Sequence, residues 1–423
     1  MKKIRITSFL LIFILLLGAA APLAAAVEAP AELLAPVVLL AEASTGMVLF
    51  EQNADARREP DTMVKMMTLL LAAEAVESGQ LAEGEVMENL FAMYVGSSDE
   101  ACDAVAVTVS GSVEAFVELM NARAAALGCK DTLFVNATGA KDARHYTTAR
   151  DLARIAGEGA NHAVFIEVAG ARSHGDMTNT NYMLSPSRTK YYYKYCVFGK
   201  VSATYENGYG AVEFAERDGL QLVTVILGAA AVILESDNST EMQNLTEARR
   251  LLEWGYKNYS WKTVLGETDL IARAAVALGD GVDYVNLRPE TDIVLLLQNE
   301  LAEGELTREI AVFSEELGEE LTAPIDAGTV LGEVVLLRYG VEVGRAALIA
   351  DTNVRLQRVK LFTRQLKAAL SGSVAKVVIV SAAVLFAAYA IFVIRYQVLR
   401  ARYVKQKRAQ TAAAMRERGN RGE

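Results

Sequence analysis

Histidine, cysteine and, over most of the chain, positive charge are scarce in this sequence. His145, His162 and His174 have no paired ligand spacing, so no metal site and no cofactor is expected. Cys102, Cys129 and Cys196 are widely separated and form no C-x-x-C. One disulfide plus a free thiol and three buried apolar thiols are both open, the second being preferred, and spacing alone does not assign a pairing. Leaving out the basic residues of the two chain ends and of 355–376, with the two acidic residues of the tail, 24 basic residues face 50 acidic ones. A main body so acidic argues against nucleic acid and anionic polymers as partners and leaves small neutral or zwitterionic ligands. Internal repeats and low-complexity linkers are absent as well.

What is present begins with two apolar runs. Lys2, Lys3 and Arg5 precede Phe9 to Leu17, and small residues end at Ala24-Ala25-Ala26. That is the layout of a secretory signal peptide, with cleavage expected after Ala26. The second run, Val377 to Ile394, holds eighteen residues without a charge, long enough to cross a bilayer as a helix. It lies between Lys376 and Arg395 and is followed by a basic tail. Basic residues number five in 357–376 and six in 395–414, a margin too small for the positive-inside rule. The export signal therefore sets the expected orientation, with the main body outside and the tail cytoplasmic. Just before the span, Val354, Leu356, Val359, Phe362, Leu366 and Leu370 alternate with Arg355, Arg358, Arg364 and Lys367. This pattern suits an amphipathic helix lying on an anionic membrane surface.

Between these ends the periodicity predicts an α+β chain. Residues 36–50 read as two short strands around a Thr45-Gly46 turn, and 61–78 as a helix closed by Gly79. Helical patterns cover 87–107, 112–127 and 147–158. Strands follow at 208–214 and 221–228, then a helix over 240–257. From about Val264 short strands alternate with glycine turns, which predicts a small all-β module of sandwich type. The expected organisation is a signal peptide (1–26), a main domain (27–262), the β domain (263–353), an amphipathic helix (354–372), a transmembrane helix (373–395) and a basic tail (396–423).

Specific motifs run through the main domain. Ala43 to Asp55 forms a strand-turn-strand ahead of Glu59-Pro60-Asp61-Thr62-Met63-Val64-Lys65-Met66-Met67-Thr68. Gly111-Ser112-Val113-Glu114-Ala115-Phe116, Met120-Asn121, Leu127-Gly128, Asn136-Ala137-Thr138-Gly139 and His145-Tyr146-Thr147-Thr148-Ala149 follow. Asn207-Gly208-Tyr209, Glu216-Arg217-Asp218-Gly219 and, in the β module, Ala323-Pro324 complete the set. From about residue 36 to the span the chain resembles the serine-type D-Ala-D-Ala carboxypeptidases, the low-molecular-mass penicillin-binding proteins.

The resemblance implies a penicillin-recognising fold followed by a β-sandwich and a membrane anchor. It also implies action on peptidoglycan stem peptides, β-lactams as ligands, and three motifs. In S-x-x-K a serine nucleophile shares a helix face with the lysine that takes its proton. In S-x-N a serine relays protons and an amide holds substrate. In K-T-G the lysine and hydroxyl bind the terminal carboxylate. This sequence departs from each motif. Thr62 stands at the nucleophile position with Lys65 retained, and its β-methyl restricts χ1. Ser97-Ser98-Asp99 replaces an amide by a carboxylate, expected to hold Lys65 charged and to repel a substrate carboxylate. Lys200-Val201-Ser202 lacks the hydroxyl and adds a side chain where the family has glycine. The stretch between Lys65 and Ser97 is also shorter than the family's.

Two functions follow. The first is a carboxypeptidase with Thr62 as nucleophile, Lys65 as base, Ser97 as relay and Asp99, Lys200, Val201 and Ser202 at the substrate. Its turnover is expected to be weak or absent. The second is a catalytically inactive relative that binds peptidoglycan or serves as a scaffold. A β-lactamase-type hydrolase ranks third, since no additional water-activating carboxylate is identifiable. Oligomeric state is not readable from the sequence.

Overall fold

The computed structural model describes residues 28–30, 33–204, 206–233, 240–300 and 304–419. The expected signal peptide lies outside the described residues. The chain divides into two compact units. One runs through Val264 and includes Val294–Thr307 and Arg338–Val341; the other holds Leu265–Ile293, Arg308–Leu337 and the chain from Glu342 on.

The first unit is built on a five-stranded antiparallel sheet. Its strands are β1 (Val37–Glu42), β2 (Val48–Gln52), β3 (Cys196–Thr204), β4 (Gly208–Arg217) and β5 (Leu220–Ala229), in the order β2-β1-β5-β4-β3. Pairing of β1 with β5, from Val37 opposite Leu227 to Glu42 opposite Leu222, joins distant parts of the chain. Both faces of β1 are covered. Val37 and Leu39 enter one apolar cluster, and Val38 and Leu40 enter the other. A strand buried on both faces reads as a continuous apolar run, as Val37 to Ala41 does.

On the first face lie α1 (Val64–Glu77), α2 (Glu83–Tyr94), α3 (Asp99–Ser110), α4 (Val113–Ala126), α5 (Ala149–Gly159) and α6 (Ala163–Ala169). The helix α7 (Gln243–Asn258) covers the second face through Leu245, Ala248, Leu251 and Leu252. Helix α1 is buried nearly all round, from Val64 to Ala75, as a helix without a polar face must be.

The expected helix over 87–107 is two helices. It breaks at 95–98, where Ser97 takes a left-handed φ of 57° and the Ser98 hydroxyl caps α3 by accepting from Ala101 N at 3.1 Å. Apolar periodicity continues across the break, so the pattern did not reveal it. All three cysteines are free thiols.

The second unit carries a five-stranded sheet of β6 (Ala272–Ala275), β7 (Tyr284–Pro289), β8 (Leu306–Val312), β9 (Val330–Arg338) and β10 (Val341–Ala350), ordered β6-β7-β10-β9-β8. Ala274, Val285, Leu287, Val334, Leu336 and Leu348 are buried there. Two helices follow, α8 (Arg358–Ser371) and α9 (Ser373–Gly419). Val359, Phe362, Leu366 and Leu370 of α8 are exposed, as are most of the apolar residues of 377–394. Helix α9 is long and apolar enough to cross a membrane.

Candidate active site

Thr62 sits in a single 3-10 turn, Asp61–Met63, that leads into α1. The approach is tightly held. Asp61 has a φ of 47°, and its carbonyl lies so close to Gly139 that a Cβ there would stand 2.1 Å away. Gly139 itself has a φ of 91°, so glycine is required twice over. Asn136 Oδ1 accepts from Gly139 N at 2.8 Å, and Thr68 Oγ1 donates to the Ala137 carbonyl at 2.8 Å. Asn207 Nδ2 donates to both Glu59 and Asp61, each at 3.0 Å. Burial raises the Asp61 carboxyl above its ordinary range, with the neighbouring Glu59 charge adding to the effect. The Asn136 to Gly139 motif thus seats the start of α1. The Thr62 hydroxyl donates to the Val201 carbonyl at 2.9 Å.

Lys65, one turn on, is engaged elsewhere. Its ammonium pairs with Asp99 Oδ1 at 2.6 Å and donates to Cys102 Sγ at 3.2 Å. Its side chain is 1% exposed, whereas that of Asp99 is 61% exposed. Among the described residues no hydrogen bond joins Thr62 to Lys65. Burial pushes the Cys102 thiol up, and the adjacent lysine opposes that shift.

Ser97 and Lys200 form a second pair. Lys200 Nζ lies 3.2 Å from Ser97 Oγ, donates to the Tyr94 carbonyl at 2.7 Å and stands 4.7 Å from the centre of the Tyr94 ring. Burial, followed by the positive charge of Lys65, brings the Lys200 amine down to about 7. Behind the same strand Glu213 is fully buried opposite Gly199. Its Oε2 accepts from Asn181 at 2.7 Å and from Cys196 at 3.4 Å, while Oε1 has no protein partner among the described residues. Burial raises this carboxyl to about 8.

Thr62, Ser97, Val201 and Ser202 line one cleft of about 260 Å³ with Thr180, Tyr182, Tyr209 and Asn244. Among the described residues no charged side chain lines it. Lys65 and Lys200 are buried behind it, and Asp99 is not among its lining residues. Ser202 is buried opposite Gly210, where an added Cβ would fall 2.6 Å from Ser202 Oγ. A larger hollow of about 380 Å³ borders the β1–β2 turn and α5. Its Glu42 carboxylate is already bound by Ser44 and Thr45, and none of Thr62, Lys65, Ser97, Asp99, Lys200, Val201 and Ser202 lines it. The smaller cleft is the one that four of the expected site residues line.

Glu74, Glu158 and His162 are the one group of candidate metal donors among the described residues. Arg123 already bridges Glu74 and Glu158, so a guanidinium fills the cationic place. Sequence reasoning did not anticipate this cluster, nor Cys102, Tyr94 and Glu213 around the lysines. The i, i+3 spacing of Asp99 and Cys102 on one helix face was the available signal for Cys102.

The D-alanyl-D-alanine carboxypeptidase family profile matches residues 24–89 and 82–231. Over 345 residues the chain is 27% identical to the D-alanyl-D-alanine carboxypeptidase DacF of Bacillus subtilis, covering 75% of this chain and 85% of that one. It is 26% identical over 352 residues to DacC of Escherichia coli, covering 75% and 83%. In fold it is similar to penicillin binding protein 5 from Haemophilus influenzae, with a TM-score of 0.55 and 23% identity over 78% of this chain and 99% of the other. Penicillin binding protein 6B from Escherichia coli gives a TM-score of 0.56 at 20% identity, over 77% and 98%. The α+β fold with its β unit and apolar terminal helix, the motif order and these likenesses coincide: the chain belongs to the D-alanyl-D-alanine carboxypeptidase family.

Proposed function

We propose that this protein engages peptidoglycan stem peptides ending in D-alanyl-D-alanine, and their β-lactam mimics, at the cleft between the start of α1 and strand β3. The carrying observation is the convergence of Thr62, Ser97, Val201 and Ser202 on one cleft with Lys65 and Lys200 directly behind it. Terminal D-alanine would be removed by acyl transfer to a hydroxyl and hydrolysis of the ester. Turnover is slow in this reading, because Lys65 is held in an ion pair and Val201 brings no hydroxyl to the substrate carboxylate. α9 anchors the protein in the cytoplasmic membrane, with the main body on the outer side, the tail inside and α8 on the lipid surface.

The same Lys65–Asp99 pair favours a second reading, binding without turnover. Incubating the full chain in detergent with a synthetic pentapeptide ending in D-Ala-D-Ala separates them. Released D-alanine supports the carboxypeptidase, and saturable binding without release supports the inactive relative. Neither release nor binding by a folded protein overturns both.

A further inference from the structure

Two cleft hydroxyls, Thr62 and Ser97, each have a motif lysine buried behind the cleft, and only one of them meets it. Thr62 has already donated its proton to the Val201 carbonyl, and Lys65 faces Asp99 and Cys102. An ammonium held in an ion pair has no lone pair with which to accept a proton. At the other pair, Ser97 Oγ and Lys200 Nζ are 3.2 Å apart. Ser97 lines the cleft, while Lys200 lies behind it, 2% exposed.

We propose that Ser97 is the acyl-accepting nucleophile of this cleft and Lys200 its base. The proposal rests on the reading above, that the cleft takes D-alanyl peptides or β-lactams. In the structure Lys200 Nζ donates to Ser97 Oγ at 3.2 Å and to the Tyr94 carbonyl at 2.7 Å; on losing a proton the amine keeps the second bond and turns its lone pair towards the Ser97 hydroxyl. The buried site and the nearby Lys65 charge bring that amine to about 7, so a substantial fraction is neutral at physiological pH. Ser97 is also held at a φ of 57°, a conformation that costs a serine energy and that accumulates at functional positions. The backbone around it is fixed by Ser98 N donating to the Ala92 carbonyl at 3.0 Å and by the Ser98 cap on α3.

In the reaction, Ser97 Oγ adds to the carbonyl carbon of the penultimate D-alanyl residue and its proton passes to Lys200 Nζ. The carbon–nitrogen bond breaks, and Lys200 returns the proton to the departing amine of D-alanine. Water then hydrolyses the ester, which releases the acid and restores the Ser97 hydroxyl. With a β-lactam the ring carbon–nitrogen bond opens instead, and the nitrogen takes the proton.

The test is to incubate the full chain in detergent with benzylpenicillin and map the adduct by mass spectrometry. Trypsin cleaves after Arg58, Lys65 and Arg123, placing Thr62 and Ser97 on different peptides. The adduct is expected on the peptide 66–123. In Thr62→Ala the adduct should still fall on the peptide 66–123, so its position and not its rate is the readout for that variant. Ser97→Gly should abolish labelling while remaining folded, because glycine adopts positive φ without strain. Lys200→Met should slow labelling roughly a hundredfold, the scale of losing a general base. The wild-type rate should rise with pH and reach half its maximum near pH 7. An adduct on Thr62, or full labelling of Ser97→Gly, overturns the proposal and leaves the cleft reading intact. Peptide binding with no adduct on either residue also overturns it while the binding reading stands. Absence of both adduct and peptide binding overturns both.

Discussion

Asp99 Oδ1 lies 2.6 Å from Lys65 Nζ, so the carboxylate that replaces the family's amide neutralises the lysine that the family uses as a base. The pair is asymmetric, with a buried ammonium and an exposed carboxylate. Asp99→Ala leaves Lys65 with Cys102 as its remaining partner and should lower stability by about 1–2 kcal/mol, less than a fully buried pair because water screens Asp99. Asp99→Asn retains an accepting oxygen and should cost less. It also removes a negative charge that an anionic β-lactam must approach. At a few ångströms in a partly solvated cleft that repulsion is about 1 kcal/mol, so labelling should accelerate about fivefold. Equal labelling rates for Asp99→Asn and wild type would refute this electrostatic account.

Ser202 and Gly210 are neighbours on β3 and β4 and share a space that holds one side chain. A methyl at residue 210 would meet Ser202 Oγ at 2.6 Å and Met63 Cε at 3.2 Å. Gly210→Ala is therefore expected to destabilise by about 1–3 kcal/mol, the usual cost of overpacking. In Ser202→Gly the obstructing hydroxyl is gone. The double variant should recover at least about 1 kcal/mol in a thermodynamic cycle. Additive denaturation free energies would show that Ser202 is not the obstacle.

Much of this architecture was legible in periodicity. Strands around Thr45-Gly46, the apolar helix after Asp61 and the pair at 208–214 and 221–228 all have observed counterparts, because burial on one or both faces writes itself into apolar spacing. The break at Ser97 was not legible. It depends on one left-handed residue and a serine cap, and the apolar pattern runs through it. Site chemistry divided in the same way. The motifs singled out Thr62, Lys65, Ser97 and Lys200, and the charge of Asp99 pointed to the ion pair it forms with Lys65. That Lys200 meets Ser97, 103 positions away, or that Thr62 turns to Val201, follows from tertiary packing with no local signature. Gly139 illustrates the middle ground. Its motif was visible, but its contact with the Asp61 carbonyl was not.

Most apolar residues over 377–394 are exposed in a helix long and apolar enough to span a bilayer, and insertion into lipid would take that surface out of water. The full chain should therefore fractionate with membranes and resist extraction by high salt. In the reading proposed above, truncation before Ser373 leaves only α8 to touch the lipid surface, and its binding to anionic lipid should be weakened by salt. A truncated protein that stays in the membrane fraction at high salt would show that α9 is not needed for attachment.

Glu213 and Lys200 should give opposite pH dependences to the stability of the first unit. Glu213 titrates at about 8 when folded, against 4.5 as the ordinary value. Between those values the folded state keeps a proton that the unfolded chain has released. Its stabilising contribution is complete below pH 4.5 and is lost as pH rises through 8. Lys200 titrates at about 7 against 10.5. Between those values the unfolded chain holds the additional proton, so the penalty of a buried ammonium is full below pH 7 and fades towards pH 10.5. Each displacement sets an upper bound of roughly 5 kcal/mol, and relaxation around the charge should reduce the observed effect to about 2–3 kcal/mol. Glu213→Gln should gain on wild type between pH 5 and 8, since an amide has no proton to lose. Lys200→Met should exceed wild type in stability by more at pH 6 than at pH 10. Urea unfolding of all three proteins across this range provides the check. A pH-independent gap between Glu213→Gln and wild type would mean that Glu213 titrates alike in the folded and unfolded chains.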